Sequence, residues 1–95
     1  MTFRVFIISV HLVGYYPEST VFDERDVTFT LGEGSEVNIP PGVETALEKF
    51  NKGETSKLYI KSKYAYSADG NSKFNIPPQA DLQYTVTLKS FEKVR

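Results

Sequence analysis

The chain has 95 residues, of which 11 are basic and 12 acidic, so its net charge at pH 7 is −1. This length fits one domain, residues 1–95, with a single modest core, and the balanced charge excludes a strongly basic surface for nucleic acid or anionic membranes. Cysteine is absent, which excludes disulfides, thiol catalysis and cysteine-liganded zinc sites and mildly favours a reducing cytosol.

Two stretches near the start of the chain have the composition of β-strands. Residues 3–13 are rich in Phe, Val and Ile on both faces and predict a long central strand that ends at Gly14. After a turn, residues 21–23 predict a short extended piece, and the alternation over residues 27–31 predicts a half-buried strand. We interpret the charged run at residues 23–26 as a solvated turn, since a calcium loop would need a longer pattern of oxygen ligands.

One helix is predicted in the middle of the chain. Pro40 and Pro41 occupy positions that the first turn of a helix tolerates, and Gly53 stands where a C-terminal cap belongs. Between them, apolar side chains recur at helical spacing and form one stripe: Val43, Ala46, Leu47 and Phe50. The sequence therefore predicts a short amphipathic helix between Pro40 and Gly53.

Two further strands are separated by a long loop. Alternating residues predict a strand at residues 56–62 and another from residue 82 to about residue 89, with a bulge or strand end near Ser90. Between them, residues 63–78 carry aromatic side chains and two prolines, which predicts a long ordered loop and a candidate binding surface. Together the elements predict an α+β domain with a mainly antiparallel sheet around one amphipathic helix.

The side chains that usually carry catalysis or bind metals are scarce. His11 is the only histidine, and because the sequence suggests neither a nucleophile nor an orienting partner for it, we interpret it as structural or simply exposed. One histidine with scattered carboxylates makes no metal site, and residues 32–34 lack the Lys-Ser/Thr of a phosphate loop. No stretch approaches the roughly 20 apolar residues of a membrane span. The sequence therefore predicts no metal, no cofactor, and neither nucleic acid nor a membrane as partner.

The order of motifs in the aromatic loop resembles a known family. The Tyr-Ala-Tyr at residues 64–66, Gly70 and the Ile-Pro-Pro at residues 76–78 resemble the FKBP-type peptidyl-prolyl isomerases. This resemblance implies a five- or six-stranded antiparallel sheet wrapped around one short helix. It also implies a mechanism without acid, base or metal. Rotation about an Xaa-Pro bond costs about 18–20 kcal/mol in lost amide resonance, and a dry apolar cradle would favour the twisted state.

The resemblance also implies which residues form the pocket. Five positions match pocket residues of the family and are implied as catalytic: Phe22, Asp23, Tyr66, Ile76 and Tyr84. Six further positions are implied as substrate-binding: Ile39, Pro40, Val43, Leu12, Val27 and Phe74. Ile39 or Pro40 falls where the family has a backbone donor before the helix. For Phe22 and Tyr84, interpretation as simple core aromatics stays open.

Several positions depart from the pattern of active members. Val43 stands at the position of the large aromatic residue, usually Trp, that forms the pocket floor. Leu12 stands where a strand tyrosine is expected, and Val27 replaces a wall phenylalanine. The stretch between Phe22 and Phe29 is also shorter, so we expect the arginine that pairs with the pocket aspartate to be missing. A cradle trimmed in this way should bind proline weakly.

These departures are similar to those of the second FKBP-like domain of large immunophilins, which precedes tetratricopeptide repeats. We therefore expect a degenerate domain with weak or no isomerase activity that serves as a scaffold or interaction module. An active isomerase of Xaa-Pro bonds is the alternative, and an unrelated α+β domain with accidental similarity is a third interpretation. Few residues precede the matched region, so the family's first strand is expected to be truncated or replaced.

The same resemblance implies partners and location. It implies that proline-containing segments or a client protein bind the domain, and that tacrolimus and rapamycin bind weakly or not at all. Chaperone contact is implied only through repeats outside this chain. We expect a monomer in the cytoplasm or the nucleus.

Overall fold

A computed structural model describes residues 5–16, 18, 20–66, 70–74 and 76–94. Its elements are, in chain order, β1 (Val5–Tyr15), β2 (Val21–Thr30), a 3-10 turn (Gly34–Val37), α1 (Pro41–Leu47), β3 (Thr55–Ile60), a second 3-10 turn (Ser62–Tyr64) and β4 (Leu82–Val94). The strands form one antiparallel sheet in the order β2-β1-β4-β3. The predicted α+β fold is confirmed, although the described residues contain four strands rather than the five or six that the resemblance implies.

The first two strands end differently from the prediction. β1 continues through Gly14 to Tyr15, and a Cβ at Gly14 would lie 2.6 Å from a ring carbon of Phe22. The glycine thus lets the Phe22 ring pack directly on the backbone of β1. β2 pairs with β1 without interruption across residues 23–26, so the predicted turn there is wrong. The predicted start of β1 lies outside the described residues.

The helix is shorter than the predicted stripe. α1 ends at Leu47, and the backbone N–H groups of the next three residues donate to carbonyls three positions back, which tightens the chain into a turn. Phe50 therefore lies after the helix, although its side chain still packs against the core. The carboxylate of Glu44 accepts hydrogen bonds from the backbone N–H groups of Gly32 and Gly34. These bonds tie α1 to the turn after β2.

The last strand extends further than predicted. β4 continues to Val94 with a register shift, because Ser9 of β1 faces Ser90 whereas Val10 faces Leu88. The bulge predicted near Ser90 is confirmed, and the strand resumes beyond it. The long loop predicted between β3 and β4 is also confirmed, and its described residues contain one 3-10 turn and an isolated bridge between Asn71 and Ile76.

The core lies between one face of the sheet and α1. Side chains without any exposed surface come from β1, α1 and β4: Val10, Leu12, Val43 and Val86. The alternation predicted for β4 places every second side chain in this core, from Leu82 to Leu88. Among the described residues, no helix is both long enough and apolar enough to cross a membrane.

The opposite face of the sheet carries a charged cluster around His11. Its Nδ1 lies 3.0 Å from Asp26 Oδ1, and its Nε2 lies 3.6 Å from Glu24 Oε2. Lys89 Nζ lies 3.3 Å from the same Asp26 oxygen. The pKa of Asp26 lies below its usual value. The largest cause is the hydrogen bond with His11, and the second is the hydrogen bond with Lys89. His11 is thus a partner in an exposed cluster.

Replacing Asp26 with Asn should lower stability to urea at neutral pH and leave it unchanged in strong acid. The pKa of Asp26 is lower in the folded than in the unfolded chain. Its stabilising contribution is therefore fully present above the unfolded-state pKa and is lost as the pH falls through the folded-state pKa. Urea unfolding at neutral and strongly acidic pH measures this, with Glu36→Gln as an exposed-carboxylate control. If Asp26→Asn remained less stable than the wild type in strong acid, the lowered pKa of Asp26 would not be the source of the stability difference.

Candidate functional site

The residues predicted as the pocket's catalytic set come from separate parts of the fold and lie around the end of the sheet where β1 finishes and where β2 and β4 begin. They lie at the start of β2, in the loop after β3, and in β4: Phe22, Asp23, Tyr66, Ile76 and Tyr84. Gly14 of β1 faces Asp23 on one side and Tyr84 on the other. Because Gly14 lacks a side chain, the rings of Phe22 and Tyr84 meet across β1, with centroids 5.8 Å apart and planes at 87°.

Asp23 is paired with an arginine, contrary to the prediction. Arg25 Nε donates to Asp23 Oδ2 at 2.9 Å, and Arg25 Nη2 donates to the backbone oxygen of Asn38 at 3.1 Å. The prediction that the shorter segment lacks this arginine is wrong because β2 is continuous. Residues two apart in a strand lie on the same face, which places Arg25 beside Asp23. The Asp23 side chain is only 9% exposed, so the pair is largely withdrawn from solvent.

The backbone carbonyl of Asn38 joins the polar groups of the pocket. Besides Arg25, it accepts a hydrogen bond from the Tyr66 hydroxyl at 3.0 Å. The Asn38 side-chain oxygen accepts from Asn71 Nδ2 at 3.3 Å. Asn38 has a φ of 59°, a left-handed conformation that asparagine tolerates better than most residues. Sequence analysis missed this residue, although an asparagine just before the Ile-Pro-Pro that leads into α1 is a signal for such a turn.

The residues implied to contact substrate lie mainly in the closed interior. Val43 and Leu12 have no exposed surface, and Tyr84 is 1% and Ile39 2% exposed. Pro40 and Ile76 are also buried. The remaining predicted site residues are half-buried: Phe22, Asp23, Val27, Tyr66 and Phe74. The floor and inner wall of the predicted pocket therefore belong to the packed core, whereas its outer residues keep part of their surface exposed.

Two tyrosine hydroxyls lie at the edge of this interior. Burial raises the pKa of the Tyr84 hydroxyl, and the neighbouring Tyr66 raises it further. Burial also raises the pKa of Tyr66. Tyr84 Oη makes no hydrogen bond that meets normal geometry with any described residue, which leaves a buried hydroxyl at a cost of about 1–3 kcal/mol. Both side chains stay neutral at physiological pH and are donors rather than bases.

Aromatic side chains surround Phe22 on its other sides. The Tyr16 ring lies 5.0 Å from Phe22 and the Phe74 ring 5.5 Å, measured between centroids. The Tyr16 hydroxyl donates a hydrogen bond to the Phe74 backbone oxygen. Sequence analysis predicted only a turn between the first two strands, so the contact of Tyr16 with the distant loop was missed. Phe74 was predicted as substrate-binding, and it lies against Phe22, one of the predicted pocket residues.

The arrangement supplies shape and hydrogen-bond donors rather than reactive groups. Within the part of the chain that the structure describes, no group of three His, Cys, Asp or Glu residues could hold a metal ion. The Asp23 carboxylate accepts from Arg25, which fits an ion pair rather than a general base. What the site offers is an apolar interior rimmed by N–H and O–H donors, the features that binding of a twisted amide uses.

Comparison with known proteins finds a matching family and relatives with similar sequences. A family model described as FKBP-type peptidyl-prolyl cis-trans isomerase matches residues 5–89. The chain is 45% identical over 89 residues to peptidyl-prolyl cis-trans isomerase FKBP4 of Homo sapiens, covering 94% of this chain and 19% of that protein. It is 51% identical over 81 residues to FK506-binding protein 59 of Drosophila melanogaster, covering 85% and 18%. The chain thus spans about a fifth of the length of these curated relatives.

Solved structures share the fold. A peptidyl-prolyl cis-trans isomerase from Pseudomonas syringae pv. tomato superposes with a TM-score of 0.78 at 26% identity, covering 92% of this chain and 62% of that one. The N-terminal domain of FKBP42 from Arabidopsis thaliana superposes with a TM-score of 0.79 at 23% identity, covering 92% and 72%. The second likeness concerns the fold alone.

Replacing Arg25 with Gln should destabilise the domain by about 1–3 kcal/mol, because the Asp23 carboxylate and the Asn38 carbonyl each lose a donor. Urea unfolding measures the loss. Lys89→Gln, which removes an exposed cation, is the control and should cost about 1 kcal/mol or less. If Asp23→Asn is combined with Arg25→Gln, part of the loss should be recovered. Equal losses of stability in Arg25→Gln and Lys89→Gln would show that the Asp23–Arg25 pair stabilises the fold no more than an exposed ion pair does.

Proposed function

We propose that this chain, which belongs to the FKBP-type peptidyl-prolyl cis-trans isomerase family, is a domain with weak or no isomerase activity that serves as a protein-interaction module. The observation that carries the proposal is the burial of the side chains at the floor and inner wall of the apolar cradle. Val43, at the position of the pocket floor, has no exposed surface, and Tyr84 on the facing strand is 1% exposed. An isomerase site needs these surfaces free to receive a proline ring.

The chemistry of the reaction explains why closure matters. Rotation about an Xaa-Pro bond has a barrier of about 18–20 kcal/mol, and a catalyst must bind the twisted amide more tightly than the planar one. In this family such binding has to occur inside an apolar cradle, since no acid, base or metal takes part. A cradle whose walls touch each other provides no such binding energy, because a substrate would first have to separate them.

The engaged donors support the same proposal. The Tyr66 hydroxyl and the Arg25 guanidinium both donate to the Asn38 carbonyl. A substrate carbonyl would have to displace that backbone oxygen to accept from either group. Breaking these charge-assisted or partly buried hydrogen bonds costs about as much as the new ones would return. The polar groups therefore stabilise the closed domain instead of a bound substrate.

An active isomerase remains the second candidate, and two observations favour it. Phe22, Tyr66 and Tyr84 come together as the family pattern implies. The Asp23–Arg25 ion pair, which the sequence led us to expect missing, is present. These features preserve the polar edge of a pocket. The closed interior beneath them argues for the module with weak or no activity.

For partners and location we propose proline-containing or other extended segments of client proteins, a monomeric domain, and the cytoplasm or nucleus. Exposed aromatic side chains supply contact surface for a module of this kind: Tyr59 and Tyr64. Chaperone binding through repeats is proposed only for segments of a longer protein, since this chain spans about a fifth of its relatives.

A protease-free proline-isomerisation assay tests the proposal directly. With a succinyl-Ala-Leu-Pro-Phe anilide as substrate, the chain should accelerate isomerisation far less than a single-domain member of the family at equal concentration. Titration with tacrolimus should show no tight binding. Comparable turnover would overturn the proposal and support the active isomerase.

Restoring the large floor residue alone should not restore ligand binding. Val43 has no exposed surface, so a Val43→Trp side chain must displace packed neighbours, and we expect a loss of about 1–3 kcal/mol in stability. Tacrolimus titration and urea unfolding measure the two effects, with Val43→Leu as a smaller apolar control. Strong tacrolimus binding by Val43→Trp would show that only the floor is lacking.

A further inference from the structure

Phe74 covers the outer side of the pocket. Its ring centroid lies 5.5 Å from that of Phe22, and the guanidinium carbon of Arg25 lies 5.9 Å from the Phe74 ring. On its other side Phe22 meets the buried Tyr84. A ligand that approaches Tyr84 past Phe22 and Arg25 therefore encounters the Phe74 ring first.

Polar bonds hold Phe74 in this position. The Tyr16 hydroxyl donates to the Phe74 backbone oxygen. The side-chain oxygen of Asn71 accepts from the backbone N–H of Lys73 at 2.9 Å and from that of Phe74 at 3.4 Å. Asn71 and Ile76 exchange two backbone hydrogen bonds of 2.9 and 2.8 Å, which close the base of the turn. The turn is therefore shaped so that Phe74 points onto the pocket.

The base of this turn is joined to the core, whereas Phe74 packs against the core from outside and stays partly exposed. Ile76 is 4% exposed, and Asn71 Nδ2 donates to the side-chain oxygen of Asn38. A side chain at Gly70, whose φ is 66°, would collide with the Ile76 carbonyl, so the base is tightly packed. Phe74 itself is half-buried and lies outside every strand of the sheet. Its ring can leave Phe22 by a local change without loss of the sheet.

We propose that Phe74 is an intramolecular occupant of this site, which excludes Xaa-Pro segments until its ring leaves Phe22. The inference rests on the proposed function, since it names what regulates binding at the same site. The Phe74 ring makes the aromatic and cation–π contacts that a peptide side chain would otherwise make with Phe22 and Arg25. A group tethered by a short turn competes at a high effective concentration, so a dissolved peptide is disfavoured even when its contacts are equally good.

The test compares peptide binding by variants that release Phe74 with binding by a matched control. Phe74→Ala removes the occupant, and Tyr16→Phe keeps both rings but removes the hydroxyl that holds the Phe74 carbonyl. Phe91→Ala deletes another half-exposed phenylalanine, 6.2 Å from Phe6, and is the control. Binding of a succinyl-Ala-Leu-Pro-Phe amide is followed by NMR titration of each folded variant.

We expect Phe74→Ala to bind the peptide at least tenfold more tightly than the wild type, and Tyr16→Phe to bind a few-fold more tightly. Phe91→Ala should bind like the wild type. In the wild type, saturating peptide should remove the nuclear Overhauser contacts between the Phe22 and Phe74 rings. If Phe74→Ala fails to fold, the peptide affinity of Tyr16→Phe and the Phe22–Phe74 ring contacts in the wild type test the proposal. Unchanged affinity in the folded variants, or ring contacts that persist in the complex, overturns the proposal.

Turnover by the same proteins separates this inference from the proposed function. Tighter binding by Phe74→Ala without turnover supports both. A wild type that is inactive, together with unchanged peptide affinity in Phe74→Ala, overturns only the role of Phe74. A wild type that is an efficient isomerase, with tighter binding in Phe74→Ala, overturns only the proposed weak activity.

Discussion

The carbonyl oxygen of Asn38 connects three parts of the chain that are distant in sequence. It accepts a hydrogen bond from Arg25 of β2 and another from Tyr66 in the loop after β3, while its own segment leads into α1. The left-handed backbone at Asn38 points this oxygen away from helical hydrogen bonding and toward the two donors. Because both donors are partly buried, leaving either without an acceptor would cost more than the bond itself returns. This acceptor therefore links β2, the loop and α1, alongside the bonds from Gly32 and Gly34 to Glu44.

Around that acceptor, the volume of the side chains decides whether a pocket exists. Val43, Leu12 and Val27 are smaller than the aromatic residues that the family resemblance places at their positions. A protein interior does not keep a large empty space when neighbouring elements can close over it. Val43 and Leu12 have no exposed surface in this structure. The fold survives because it depends on packing of the sheet against α1, and the function of a fold depends on its site.

The exposed side of the site is closed by a different means. Phe22 is surrounded by rings, with Tyr84 beneath it and Tyr16 and Phe74 on its other sides. Gly14 makes this possible, since any side chain there would collide with the Phe22 ring. The aromatic loop that looked like an exposed binding surface in the sequence instead contributes Phe74 to this cluster. Tyr64 at the start of the same loop, and Tyr59 on β3, remain exposed.

Periodicity and motif order, both readable in the sequence, determined the α+β fold, the family and the approximate positions of the elements, but not the continuity of β2 or the ends of α1 and β4. The alternation along β4 and the stripe in α1 reflect local geometry, which a stretch of sequence carries by itself. What only the tertiary structure decided is how those elements meet. The Asp23–Arg25 pair required β2 to continue along β1, and the bond from Tyr16 to Phe74 joins residues 58 positions apart. Closure over Val43 likewise depends on neighbours from several elements. Local pattern limits which faces are apolar, but contacts between distant residues exist only after the chain has folded, and here they determine whether the site is open.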